Sequence, residues 1–124
     1  MAAASITESS IRQLVDTFYA RVRQDAALSP VFEGRLAGQW ETHMPRMVAF
    51  WNKVLLGSGD FQGNDFGKHM TIGGIEPEHF RRWLDLFRLT AIEVFGEDDA
   101  SVPIQTAERI AASLQLGYFG EVLA

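Results

Sequence analysis

The side chains best suited to ligate a metal in this 124-residue chain are three histidines, His43, His69 and His79, because the sequence contains no cysteine. The lack of cysteine excludes thiolate catalysis, disulfides and iron–sulfur ligation. No two of the histidines stand three or four residues apart, the spacing that brings zinc ligands together on one face of a helix. A three-histidine zinc site is therefore disfavoured, and a single imidazole, carboxylates or a cofactor would have to hold any metal.

Tyr19, His43 and Trp83 belong to three separate helical patterns, and each is predicted to point inward. A buried polar group without a hydrogen-bond partner costs about 1–3 kcal/mol, so each of the three needs a partner. Taken singly, an inward tyrosine, tryptophan or histidine is more often structural than functional. Together, the three could face one ligand in a shared interior.

His69 lies in the glycine-rich stretch "GNDFGKHMTIGGIEPEHF", residues 63–80, between two long apolar-patterned segments. A connection of this length without a helix of its own usually serves a function. One neutral imidazole on a cofactor metal, with hydrogen-bond donors on the far side, would suit a haem, and 14 aromatic residues could supply its walls. His79, among acidic and basic neighbours at the next helix start, is predicted to be exposed to solvent.

The elements that position these residues are all predicted to be helices, because no stretch alternates apolar and polar residues long enough for a strand. The first helix is expected to begin after Ser5, with Ser5 and Glu8 forming a capping box. A turn and a short helical piece follow at "LSPVFEG". The third segment runs from about Trp40 to the glycines at 57 and 59, with Pro45 early in it.

Two further helices are predicted after the glycine-rich stretch. One begins at "EPEHF" with Pro77 in its first turn and ends at Gly96. The last is expected to begin near Ser101, with Pro103 in its first turn, and to continue through Phe119. The length and the absence of a linker predict one domain over residues 1–124.

The composition indicates which partners the protein can bind and in which compartment it is found. A formal net charge of -5 with no basic patch disfavours a nucleic-acid surface, which needs cations to displace phosphate counterions. No run of about eighteen apolar residues suggests a membrane span, and the first ten residues lack the pattern of a signal peptide. These features predict a cytoplasmic protein.

Several runs, in order along nearly the whole chain, resemble the truncated haemoglobins of the third group. They are "FYARVRQD", "PVFEG", "HMPRMVAFWNKVLLG", "GKH", "FRRWLDLF" and "AERIAASLQLG". The resemblance implies an all-α truncated globin fold, a two-over-two sandwich of helices around a haem. Asp65 and Phe66 depart from the family's pattern, which has proline and methionine before the iron-binding histidine.

The same resemblance assigns roles to individual residues. It implies that His69 is the proximal iron ligand, that Phe32 packs on the haem face, and that Tyr19, His43 and Trp83 form the distal pocket. His43 could gate the pocket or ligate the iron weakly. The remaining candidates for haem contact are the wall residues Met47, Phe50, Trp51, Phe66, Ile72 and Phe80 and the cations Arg46 and Lys68, which could meet the haem propionates.

Three functions are consistent with these residues. The first is reversible binding of oxygen, carbon monoxide or nitric oxide at a five-coordinate, non-covalently held haem b, with Tyr19 and Trp83 donating hydrogen bonds to the ligand. The second is nitric oxide dioxygenation or peroxidase-like chemistry, which would need an external reductase because no reductase domain fits in the chain. The third is a haem-free helical regulatory domain. The oligomeric state is expected to be a monomer or a weak dimer.

Overall fold

The computed structural model describes residues 5–57 and 75–123. Within these ranges the regular structure is entirely helical, which confirms the all-α prediction. The helices are α1 (Glu8–Gln24), α2 (Leu28–Leu36), α3 (Trp40–Leu56), α4 (Pro77–Phe95) and α5 (Glu97–Phe119).

Helix α1 begins later than predicted, and a different residue caps it. Thr7 is the N-cap: its Oγ1 accepts from the backbone N–H of Ser10 at 3.1 Å, and Ser10 Oγ accepts from the backbone N–H of Thr7 at 2.8 Å. The predicted pair of Ser5 and Glu8 is therefore wrong. The threonine and serine three residues apart satisfy the same two backbone donors, and Ser5 instead accepts from Ser10 Oγ through its carbonyl oxygen.

Helix α3 ends as predicted at Gly57, whose φ of 67° lies in the left-handed region that glycine adopts without steric cost. The backbone N–H of Gly57 donates to the carbonyl of Lys53 at 3.0 Å. Pro45 lies inside the helix, beyond its first turn. The end of α3 therefore delivers the chain into residues 58–74, the segment that carries His69.

Helix α4 begins at Pro77, as predicted, but His79 has a structural role there. Its Nδ1 accepts from the backbone N–H of Glu76 at 2.8 Å, while the Glu76 side chain accepts from the backbone of His79, forming a capping box. His79 is half-buried, so the prediction that it is exposed to solvent is wrong. An imidazole nitrogen replaces the usual glutamate or glutamine in this motif.

Helix α5 begins at Glu97, well before the predicted start at Ser101. Gly96 has a φ of 85°, ends α4 and starts α5 directly, and three acidic residues then occupy the first turn, where the helix dipole favours negative charge. Pro103 consequently lies inside the helix. Ser101 Oγ donates to the carbonyl of Asp98 at 3.0 Å and does not act as the cap.

The helices pack as two pairs. Helix α1 contacts α3, α4 contacts α5, and the contact between α1 and α4 joins the pairs. At this junction Phe87 is 1% exposed, and its ring centroid lies 5.3 Å from Phe18, 5.1 Å from Trp51 and 5.8 Å from Trp83. These ring contacts, edge-to-face or offset-stacked, contribute beyond the area they bury. The arrangement is the two-over-two sandwich expected from the sequence.

Asp25 links the turn between α1 and α2 to α4. Its carboxylate accepts from the backbone N–H groups of Ala27 and Leu28, at 3.0 and 2.9 Å, and from both Nε and Nη2 of Arg82. The Asp25 side chain is only 5% exposed. The hydrogen bond from Arg82 is the main cause that lowers the pKa of Asp25 from 3.8 to about 2, against the opposing effect of burial.

We expect Asp25→Asn to lower the free energy of unfolding by about 2 kcal/mol at pH 7, because the pKa difference between folded and unfolded chains is lost. The pKa is depressed on folding, so the stabilisation is complete above the unfolded value of 3.8 and disappears as pH falls towards 2. Urea denaturation of both proteins from pH 7 downwards should show the gap closing below about pH 4. Glu78→Gln, which breaks the exposed pair with Arg81, should change stability little at any pH. A pH-independent gap would contradict this account.

Candidate functional site

One cavity of about 350 Å³ lies between the two helix pairs and is bounded largely by apolar and aromatic side chains. All five helices contribute to it. Its lining consists of Tyr19, Leu28, Phe32, Met47, Phe50, Trp51, Val54, Ile75, His79, Phe80, Trp83, Thr106, Arg109, Ile110, Ser113, Leu114 and Tyr118. The volume and the predominance of apolar walls are those of a site for a small molecule or cofactor.

Phe32, predicted to pack on the haem face, lies on this cavity together with four of the predicted wall residues, Met47, Phe50, Trp51 and Phe80. Except for Phe50, which is half-buried, they are at most 5% exposed. They come from α2, α3 and α4, so the walls depend on the packing of three helices.

Tyr19 and Trp83, the two predicted hydrogen-bond donors, both line the cavity, from α1 and α4 respectively. Phe18 holds them together: its ring centroid lies 5.0 Å from Tyr19 and 5.5 Å from Trp83, edge-to-face in both cases. Trp83 also stacks on Phe87 at an interplanar angle of 21°. Two side chains with donor groups are thus fixed on the cavity by the aromatic core.

His43, the third predicted distal residue, packs beside Tyr19 with ring centroids 5.2 Å apart and rings at 89°. It is half-buried and also contacts Trp40, at 5.7 Å. It is absent from the described residues that line the cavity. The structure therefore groups His43 with Tyr19, and Tyr19 stands on the cavity wall.

Most of the residues predicted to contact haem near the iron ligand lie outside the described ranges. His69, Phe66, Lys68 and Ile72 fall within residues 58–74, which lie outside the described ranges. Val54 and Ile75, which flank this segment on its two sides, both line the cavity. Described residues on both sides of this segment in the sequence therefore reach the cavity. Arg46 is half-buried on α3 and is not among the described lining residues.

Helix α5 also contributes polar side chains to the cavity that were not predicted from sequence. Thr106, Arg109 and Ser113 line the cavity, and so does Tyr118 near the end of the helix. Thr106, Arg109 and Ser113 are three and four residues apart, and Tyr118 follows Leu114 by four, so helical periodicity indicates that all four share the side of α5 that carries Ile110 and Leu114. Within residues 5–57 and 75–123 no group of three histidine or acidic side chains could hold a metal ion. No helix described in these ranges is long and apolar enough to cross a membrane.

Comparison with known proteins identifies relatives of similar length and fold. The chain is 33% identical over 114 residues to the group 3 truncated haemoglobin ctb of Campylobacter jejuni, and the matched residues cover 90% of each protein. It also matches the crystal structure of the group III truncated haemoglobin from Campylobacter jejuni with a TM-score of 0.89, at 32% identity over 96% of each chain. No family model matches the sequence. The identity and coverage of these relatives show that the chain belongs to the truncated haemoglobins of the third group.

Proposed function

We propose that this truncated haemoglobin binds haem b without a covalent link, with His69 as the iron ligand, and reversibly binds oxygen or another diatomic gas. The family implies a haem cofactor and diatomic ligands. The observation that carries the proposal is the placement of Tyr19 and Trp83 on one otherwise largely apolar cavity, held through Phe18. A cavity serving only as a packing defect has no need of two donors.

The side chains present fit a haem. Aromatic and aliphatic groups from α2, α3 and α4 suit a flat apolar macrocycle, and the absence of cysteine agrees with non-covalent binding. The cofactor also has two carboxylates, which favour cationic partners. Arg109 supplies a cation on the cavity lining, and Arg46 and Lys68 are the partners expected from the sequence.

A bound haem supplies an iron with one open coordination position for a diatomic ligand. The chain's own residues then determine how long the ligand stays. The Tyr19 hydroxyl and the Trp83 indole N–H can donate hydrogen bonds to a ligand that gains partial negative charge, and such charge-assisted bonds are roughly twice as strong as neutral ones. The surrounding side chains are largely apolar and offer water few hydrogen-bond partners, which favours the bond between these donors and the ligand.

Titration of the purified haem-free protein with haemin tests the proposal. We expect a sharp Soret band that saturates at about one haem per chain, as binding of a single haem in this cavity through His69 requires. After reduction, the spectrum should change on addition of oxygen and return when the gas is removed. Binding no stronger than to a protein without a haem site would favour the haem-free regulatory domain instead.

A further inference from the structure

Three aromatic rings meet edge-to-face beside the cavity, where α1 and α3 pack together. The ring centroid of Trp40 lies 6.0 Å from that of Tyr19 and 5.7 Å from that of His43, and Tyr19 and His43 are 5.2 Å apart. Trp40 is 7% exposed, so its ring is buried against the other two. Trp40, Tyr19 and His43 therefore form a ring cluster.

Two surface residues hold the Trp40 indole. Its Nε1–H donates to Glu33 Oε1 at 3.0 Å, and the same oxygen accepts from Arg23 Nε at 3.1 Å. The guanidinium carbon of Arg23 also lies 4.5 Å from the centre of the Trp40 ring, within the range of a cation–π contact. Arg23, Glu33 and Trp40 belong to α1, α2 and α3, so this anchor connects three helices.

We propose that Trp40, held by Glu33 and Arg23, is a positioning residue that restrains Tyr19 and His43 and thereby slows the passage of diatomic ligands between solvent and the cavity. The proposal rests on the proposed function and adds a control of ligand entry. Arg23, Glu33 and Trp40 are absent from the cavity lining among the described residues, and the ring contacts of Trp40 connect them to Tyr19, which is on it.

The packing of Trp40 on Tyr19 explains how the anchor would restrain a side chain on the cavity wall. Tyr19 is 4% exposed, lines the cavity and packs against Trp40, so in this close-packed arrangement a displacement of one ring requires the other to adjust. Movement of Trp40 requires the bond to Glu33 to break and the Arg23 guanidinium to leave the ring face. The side chains of Arg23 and Glu33 are 49% and 36% exposed, so opening this anchor exchanges its contacts for water at small cost. The anchor therefore favours the arrangement in which Trp40 is held against Tyr19 and leaves the arrangement in which Trp40 is released accessible.

The test is carbon monoxide association after flash photolysis of the haem-loaded protein. Trp40→Phe keeps a ring but removes the N–H donor, and Glu33→Gln keeps an acceptor but removes the charge that holds Arg23. We expect association to become about three- to tenfold faster in both variants, the range set by losing one hydrogen bond or one exposed ion pair. Glu108→Gln is the matched control, because it breaks an exposed pair with Arg88 at 2.8 Å between α4 and α5, and its rate should be unchanged.

A second measurement separates positioning from general loosening. In the diamagnetic carbon monoxide form, hydrogen exchange of the Trp40 indole proton, followed by NMR, should be accelerated several-fold by Glu33→Gln and unaffected by Glu108→Gln. Association rates within about 1.5-fold of the unaltered protein in both anchor variants would overturn the proposal, as would equal acceleration in the control. If Trp40→Phe does not fold, Glu33→Gln and Arg23→Gln decide by the same criteria. Haem content of the unaltered protein, measured first, reports separately on the proposed function.

Discussion

Replacing Tyr19 with phenylalanine should make oxygen leave the reduced haem-loaded protein about ten- to one-hundredfold faster. The substitution removes only the hydroxyl, so the ring contacts with Phe18 and Phe32 remain. A hydrogen bond to a charged group contributes about 1.5–3 kcal/mol, and about 1.4 kcal/mol corresponds to a factor of ten in rate. Stopped-flow displacement of oxygen by carbon monoxide measures this rate.

Trp83→Phe should act in the same direction, because it removes the other predicted donor to the ligand while leaving a ring to stack on Phe87. The matched control is Tyr118→Phe, which removes a hydroxyl from the α5 side of the same cavity. Its release rate should stay within about twofold of the unaltered protein, since loss of a hydroxyl that does not reach the ligand changes little. Release that is unchanged in both Tyr19→Phe and Trp83→Phe would show that these donors do not reach the ligand.

Replacing His69 with alanine should abolish the five-coordinate ferrous spectrum and weaken haem retention by at least about tenfold, because the protein would lose its only proposed bond to the iron. Free imidazole added to the variant should restore much of the native spectrum, since it can occupy the space left by the side chain. Haem transfer to an apoglobin acceptor measures retention, and absorption spectroscopy follows the rescue.

His79→Gln is the control for this experiment. His79 also lines the cavity, but its Nδ1 is engaged in capping α4, and glutamine can take that capping role. We expect the control to keep the native spectrum and haem affinity. A normal spectrum in His69→Ala, or the same loss in both variants, would show that a different residue ligates the iron.

Apart from His79, the residues that face the cavity from α1, α3 and α4 are predictable from sequence because each helix buries one face. Tyr19 continues the series of Ile11, Leu14 and Phe18, and the structure buries all four. Helix starts were less predictable, since "SITESS" contains two overlapping capping boxes and only the structure shows that Thr7 and Ser10 are used.

Other features depend on contacts between residues distant in sequence. Arg82 reaches Asp25 across 57 residues, and nothing local to either residue indicates the pair. The anchor of Trp40 likewise requires Arg23 and Glu33 from two other helices. Arg109 was not predicted for a simpler reason: buried helix faces are predicted from apolar positions, and Arg109 is a charged residue on such a face.

The most direct test of the central claim is the absorption spectrum of the reduced, haem-loaded protein before and after carbon monoxide is added. A haem held by one imidazole with an open position should give a five-coordinate ferrous spectrum. Carbon monoxide should convert it to the spectrum of a six-coordinate form, with a sharper Soret band at a different wavelength. Removal of the gas should restore the first spectrum. A reduced spectrum that carbon monoxide leaves unchanged would contradict the claim that this cavity binds diatomic ligands.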